Sequence, residues 1–456
     1  MSAPPSNRGE PITHKDQLIN YFIKACCPKD QWKIGTEHEK FLFNKKDLKP
    51  VPYEGDKGIK RILSDLSHLG WDPIYEEGNI IALSRNQASI SLEPGGQFEL
   101  SGAPLHNIHQ TYHEIKNHLI ETYKICTSIN VGMLGMGFLP KWQRQDITWM
   151  PKKRYQIMKD YMPTRGHLGH DMMLRTSTVQ ANLDFSSEKD MIQKMRLGFA
   201  LQSLVTALFA DSPFVEGKNS EYQSYRARVW LDTDPDRCGL LPFVFDQDMS
   251  FERYVDYALN VPMYFVYYDN RYINVAGQSF KDFMKGNLPA LPGVVPTLSD
   301  WSNHLTTLFP DVRLKNIIEM RGADSGSLDM LCALPALWVG LLYDQNTLDE
   351  AWDLVRDWTY KEREELRRTV PKYGLKTVFR GQPLNHLAKK IVDLAAQGLS
   401  RRSIYNDQHQ DESYFLDILK KRIDQDCSPA EEKVKLFNGR WSQNLHKLYE
   451  EYSFNF

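Results

Sequence analysis

Apolar residues recur every three to four positions in several stretches of the chain. Residues 15–26 carry Leu18, Ile19, Phe22 and Ile23 on one side, and residues 56–69 carry Ile59, Ile62, Leu63 and Leu66. That spacing predicts amphipathic helices, because a 3.6-residue turn gathers those positions into one stripe. Longer helices are expected over residues 106–129 and 189–210. From about Leu328 onward the chain reads as largely helical, through residues 348–370, 383–398, 413–426 and 429–452. Ser428 followed by Pro429 is a good helix start, with a capping hydroxyl and proline at the first helical position. Proline and glycine mark loops over residues 286–297 and 232–239.

Other segments alternate with period two, the mark of half-buried strands. In residues 175–185, Val179, Ala181, Leu183 and Phe185 oppose Thr178, Gln180, Asn182 and Asp184. In residues 226–232, Ala227, Val229 and Leu231 oppose Arg226, Arg228, Trp230 and Asp232. Glu37 and Glu39 share a face with Gly35 in residues 33–43, as Glu319 and Arg321 do in residues 316–321. Residues 89–101 break at Pro94-Gly95-Gly96, with Glu93 before the break and Glu99 after it. The expectation is an α+β fold with one curved, mainly antiparallel sheet. Its apolar face packs on helices and its polar face lines a cavity.

The 456 residues fit one large catalytic domain, with residues 1–14 as a flexible lead-in and residues 328–456 as a mostly helical part. A net charge of -2 without a basic stripe argues against a nucleic-acid partner. The apolar runs are too short to cross a bilayer. Six dispersed cysteines lack Cys-x-x-Cys spacing, which argues against structural zinc and against a disulfide framework. Residues 1–11 are polar and hold neither an apolar core nor an Arg-rich leader. A cytoplasmic location is therefore expected. Nothing marks an interface, so a monomer is expected.

Glu37, Glu39, Glu93, Glu99 and Glu319 would converge on the polar face of such a sheet. Converging carboxylates repel unless a cation joins them. Magnesium, with oxygen ligands and a preference for substrate phosphates, answers that need and suits phosphoryl transfer. Arg321 is placed to meet a transferring phosphoryl group, and Arg226 and Arg228 to fork onto a substrate carboxylate. No glycine-rich P-loop is present to cradle phosphates. Taken singly, Glu-x-Glu and Glu-x-Arg are also common as solvated surface pairs, so spacing alone leaves both readings open.

Residues 34–41, Ile-Gly-Thr-Glu-His-Glu-Lys-Phe, and 91–102, Ser-Leu-Glu-Pro-Gly-Gly-Gln-Phe-Glu-Leu-Ser-Gly, closely resemble signature stretches of the plant and proteobacterial glutamate–cysteine ligases. So do residues 172–180 and 319–324, and the resemblance runs from about Trp32 to Leu448. It implies a domain like the catalytic domain of glutamine synthetase, with its sheet curled around the active site. It also implies the first step of glutathione biosynthesis. ATP, as co-substrate, phosphorylates the γ-carboxyl of L-glutamate; the amine of L-cysteine then displaces phosphate. By position, Glu37, Glu39, Glu93, Glu99 and Glu319 are implied as Mg²⁺ ligands, and Gln180 falls where distant relatives place a metal-binding histidine. Glu319 and Arg321 are implied at the reacting centre, Arg321 on phosphate. Arg226 is implied to grip glutamate, and Arg154 and Tyr264 to stand near the amino-acid pocket. A γ-glutamyl ligase with another amine acceptor is the alternative. Two regulatory disulfides of plant members fall on Val275 with Ala290 and on Tyr112 with Cys332, so neither is expected here.

Overall fold

An eleven-residue strand, β1 (Ile34–Asn44), runs through the middle of the sheet because both of its faces have somewhere to go. Glu37 and Glu39 face a cavity, while Thr36, His38, Lys40 and Leu42 are buried on the other side. The computed structural model describes residues 9–456. Eight further strands complete the main sheet: β2 (Asp72–Glu76), β3 (Asn79–Arg85), β4 (Ala88–Leu92), β5 (Phe98–Ser101), β6 (Val131–Leu134), β7 (Thr178–Leu183), β8 (Val312–Leu314) and β9 (Ile318–Asp324). The order is β8-β9-β7-β1-β5-β4-β3-β2, with β6 paired to the far half of β1. The pairings are antiparallel, as expected for an α+β fold.

Helices cover the convex side. Glu188–Leu208 packs on β8 and β9, Leu328–Leu342 on β7 and β1, and Ile108–Ser128 on β1 and β6. These helices begin where capping side chains dictate. Asn107 accepts from the N–H of Gln110, and Ser187 from that of Asp190. The stretch expected over residues 15–26 forms Lys15–Ile23, and that over 56–69 forms Ile59–Ser67.

Four expectations are corrected. Residues 348–370 are two helices, Gln345–Asp353 and Tyr360–Tyr373. The second starts at a Thr359–Glu362 capping box that apolar periodicity does not register. Residues 429–452 likewise divide into Pro429–Asn438 and His446–Tyr452, parted at Gly439. Residues 226–232 are not a strand: Tyr225–Trp230 is a short helix, with Ser224 Oγ accepting from the N–H of Ala227 at 3.1 Å. In six residues, period two and period 3.6 are hard to tell apart, and the cap decides. Finally, of the lead-in taken as flexible, residues 1–8 lie outside the described residues, whereas Ile12 is fully buried and donates to the Pro296 carbonyl at 2.7 Å.

The convex face is less apolar than the alternation implied. The buried Lys40 Nζ donates to the Phe98 carbonyl at 3.1 Å and lies 2.8 Å from His118 Nε2. Burial lowers this lysine to about 7.

Candidate active site

Strand register brings the expected residues together. Glu37 pairs directly with Gln180 across β1 and β7, and Glu39 with Glu99 across β1 and β5. Directly opposed residues have Cβ atoms about 5 Å apart, so each pair shares one patch of the concave face. Glu319 on β9 stands opposite Asn182 on β7, beyond Gln180. The Pro94-Gly95-Gly96 turn returns the chain from β4 to β5 and sets Glu93 beside Glu99. Gly96 has φ of 82°, which the turn requires, and a Cβ on Gly95 would meet the Leu174 carbonyl oxygen at 2.3 Å, so glycine there lets the turn pack this closely on Leu174.

The resulting cavity, about 140 Å³, is lined by Glu37, Glu39, Glu93, Glu99, Gln180 and Arg154 among others, with Arg226, Arg313, Lys315 and Arg321 across from the acids. That volume has room for about ten waters. One wall is acidic. Burial and the neighbouring Glu93 and Glu99 push the Glu39 carboxyl well above the usual range; burial and Glu93 raise Glu99. Each acid is oriented from the side: Asn182 donates to Glu37 at 2.9 Å, the N–H of Thr178 to Glu39 at 3.1 Å, the Tyr155 hydroxyl to Glu93 at 3.4 Å, and Ser91 and Ser101 to Glu99.

The opposite wall is cationic, and Glu319 is its organiser. Arg313 forks onto both of its oxygens at 2.6 and 2.9 Å, Lys315 reaches one at 2.9 Å, and Arg321 the other at 3.0 Å. Burial alone would raise this carboxyl; Arg313, Lys315 and Arg321 overcome it and hold Glu319 well below the ordinary value. Arg313 Nη1 donates to the Thr306 and Leu308 carbonyls, at 2.7 and 2.8 Å. Arg321 also donates to Gln180 Oε1 at 3.0 Å.

The acids thus split into two groups that the sequence did not separate. Glu37, Glu39, Glu93 and Glu99 have no arginine or lysine bonded to them among the described ion pairs, whereas Glu319 has three such partners. Among the described residues, no three acidic, histidine or cysteine side chains are drawn in closely enough to enclose one ion.

Arg226 reaches the cavity from the short helix and donates to the Arg321 carbonyl at 2.8 Å. Arg228, two residues on, points elsewhere, because a helix turns it away; the expected Arg226–Arg228 fork does not form. Arg154 lines the cavity with its guanidinium 4.9 Å from the Phe265 ring. Tyr264 does not line it. Its hydroxyl faces Asp234 at 3.4 Å, and Arg237 covers its ring at 3.9 Å. Arg313 and Lys315 were missed because β8 is three residues long, with Lys315 just past its end, and leaves too little alternation to show a face. Tyr112 and Cys332 line one surface cavity away from the site, and all six cysteines are free.

The family profile described as Glutamate-cysteine ligase family 2 (GCS2) matches residues 33–451. A chloroplastic glutamate–cysteine ligase of Medicago truncatula is 52% identical over 443 residues, covering 97% of this chain and 85% of that protein. The chloroplastic glutamate–cysteine ligase B of Oryza sativa subsp. japonica is 51% identical over 455 residues, covering 99% and 90%. A crystal structure of glutamate–cysteine ligase from Francisella tularensis in complex with AMP superposes with a TM-score of 0.54 at 13% identity, over 92% of this chain and 89% of that one, which shows a shared fold. The expected cytoplasmic location is corrected by these relatives, whose names place them in the chloroplast. Among the described residues, no helix is long and apolar enough to cross a membrane. The chain belongs to glutamate–cysteine ligase family 2.

Proposed function

We infer that this cavity performs the reaction of its family, the ATP-dependent ligation of the γ-carboxyl of L-glutamate to the amine of L-cysteine, the first step of glutathione biosynthesis. One observation carries the reading: Glu37, Glu39, Glu93 and Glu99, which have no arginine or lysine partner among the described ion pairs, line one cavity together with Arg226, Arg313, Lys315 and Arg321. Carboxylates held together at a cost in charge repulsion suit a hard divalent cation, so the donor set fits magnesium. Glu37, Glu39, Glu93 and Glu99 would hold Mg²⁺, with Gln180 as a weaker amide ligand. When bound, the metal supplies charge neutralisation and orientation for the ATP phosphates.

The remaining work falls to side chains. Arg321, fixed by Glu319 and Gln180, is aimed at charge that builds on the transferring phosphoryl group. Lys315 adds a second cation beside it. Glu319 holds this bank in place, a role its hydrogen bonds support more directly than the expected metal ligation. Arg226 meets the glutamate substrate, and the phosphorylated γ-carboxyl is then open to the cysteine amine near Arg154, with phosphate leaving toward the cations. Tyr264 stands outside the cavity and packs against Tyr161, so it takes no direct part in this reading.

Counting Mg²⁺ or Mn²⁺ bound by equilibrium dialysis, in the native chain and in Glu39→Gln and Glu99→Gln, tests the acidic wall without relying on turnover. Weaker metal binding in both variants is expected. Unchanged binding in both would remove the acidic wall from the account.

A further inference from the structure

Asp324 closes β9, the strand that carries Glu319 and Arg321, and is 1% exposed. It does not line the catalytic cavity. One of its carboxylate oxygens accepts from the N–H of Asp211 at 2.9 Å and from the Ser212 hydroxyl at 2.6 Å; the other accepts from the Ser224 hydroxyl at 2.8 Å. Both serines are fully buried. Their backbones lie side by side, with the N–H of Tyr225 donating to the Ser212 carbonyl at 3.1 Å. Gly137 leaves room for the carboxylate: a Cβ there would meet the Asp324 carboxyl carbon at 2.2 Å.

A serine hydroxyl has one hydrogen to give and two lone pairs to receive with. An ionised carboxylate only accepts. Asp324 therefore takes the hydrogen of both serines and leaves their lone pairs for backbone donors. Those lone pairs meet the start of the helix Tyr225–Trp230. Ser212 Oγ accepts from the N–H of Arg226 at 3.2 Å, and Ser224 Oγ from that of Ala227 at 3.1 Å. These are N–H groups that the first turn of a helix cannot satisfy by itself.

The same strand holds the other end of Arg226, whose guanidinium donates to the Arg321 carbonyl at 2.8 Å. Asp324 is also the strongest anionic neighbour of Arg226, ahead of Glu39. One strand thus fixes Arg226 at backbone and side chain, and one buried carboxylate sets the direction of both hydroxyls. We propose that Asp324 is a positioning residue for catalysis, acting through Ser212 and Ser224 to hold Arg226 where it meets glutamate. The inference rests on the assignment of Arg226 to glutamate given above.

Asp324→Asn tests it. The amide keeps the shape of the carboxylate, removes the charge beside Arg226 and sets an NH₂ against a donor, so the serine network must rearrange. The KM for glutamate should rise at least ~10-fold, the worth of one hydrogen bond to a charged group. The KM values for ATP and cysteine should stay within about twofold, and kcat should change far less than the glutamate KM. In an Arg226→Ala background the same substitution should raise the glutamate KM by no more than about twofold, because nothing is left to position. Ser212→Ala, which keeps Asp324 charged, should give a smaller rise in the same direction, and it decides the matter if Asp324→Asn does not fold. Equilibrium dialysis of labelled glutamate gives the same comparisons where turnover is too low to measure. An unchanged glutamate KM, a rise shared equally by glutamate, ATP and cysteine, or a full rise that persists without the Arg226 side chain would overturn the proposal. If Arg226→Ala alone leaves the glutamate KM at its native value, the assignment of Arg226 fails and this inference falls with it. A rise in Arg226→Ala without one in Asp324→Asn overturns this inference alone, so the two failures are distinguishable.

Discussion

Replacing Arg313 with methionine removes the clamp on Glu319 and leaves the rest of the cationic wall in place. The guanidinium makes four hydrogen bonds: two to Glu319 and one each to the Thr306 and Leu308 carbonyls. Removing one partner of a buried ion pair costs about 3–5 kcal/mol, because the other charge stays buried. Lys315 and Arg321 remain on Glu319, which places the loss near the lower end, about 3 kcal/mol. With unfolding entropy of roughly 2.1 cal/mol/K per residue, that is a fall in Tm of about 3 °C for a chain of this length. Thermal unfolding followed by intrinsic fluorescence measures it.

The pH dependence carries a second signature. Glu319 is held below its ordinary value in the folded chain, so its contribution to stability is complete above the unfolded carboxylate pKa, about 4.3. It is lost as pH falls from there toward the depressed folded value. The difference between native and Arg313→Met should therefore be constant from pH 5 to 7 and shrink below pH 4. Turnover should fall as well, since Arg321 loses the anchor that aims it, while the glutamate KM changes little. A Tm within 1 °C of native at pH 7, or a difference that grows on acidification, would refute the view of Glu319 as organiser of this wall.

Glu37→Gln should depress turnover strongly at saturating Mg²⁺, because it removes charge from the acidic wall; near-native turnover would count against its role. Glu319→Gln should do the same by releasing three cations at once, with a stability loss that Glu37→Gln lacks, read in the same melts. Arg226→Ala should raise the KM for glutamate more than that for ATP, and equal changes would remove it from glutamate binding. Peptide mapping without reductant should find Cys332 unlinked to position 112 under oxidising conditions, since Tyr112 cannot form a disulfide.

Much of the sheet was legible because its strands are long enough to show alternation. In β1 and β7 the period-two pattern put Glu37, Glu39 and Gln180 on one face, and the register then placed them side by side. The Pro94-Gly95-Gly96 turn was legible as punctuation, and with it the approach of Glu93 to Glu99. Short elements were not. Six residues around Arg226 alternate as a strand would, and only the Ser224 cap reveals a helix. Arg313 sits on a three-residue strand and Lys315 just beyond it, too short a run for its polar positions to show a readable period. The separation of Glu319, clamped by three cations, from the other four acids was beyond any sequence pattern, because it depends on which cations the fold brings to Glu319.

The most direct measurement is ADP release by the purified protein with Mg²⁺, ATP and glutamate, with and without cysteine, together with mass detection of the product. Alanine and 2-aminobutyrate serve as alternative amine acceptors. Cysteine-dependent ADP release with accumulation of γ-glutamylcysteine, and a clear preference for cysteine over both alternatives, is the predicted result. ADP release that ignores cysteine, or a product formed equally well from the other amines, would contradict it.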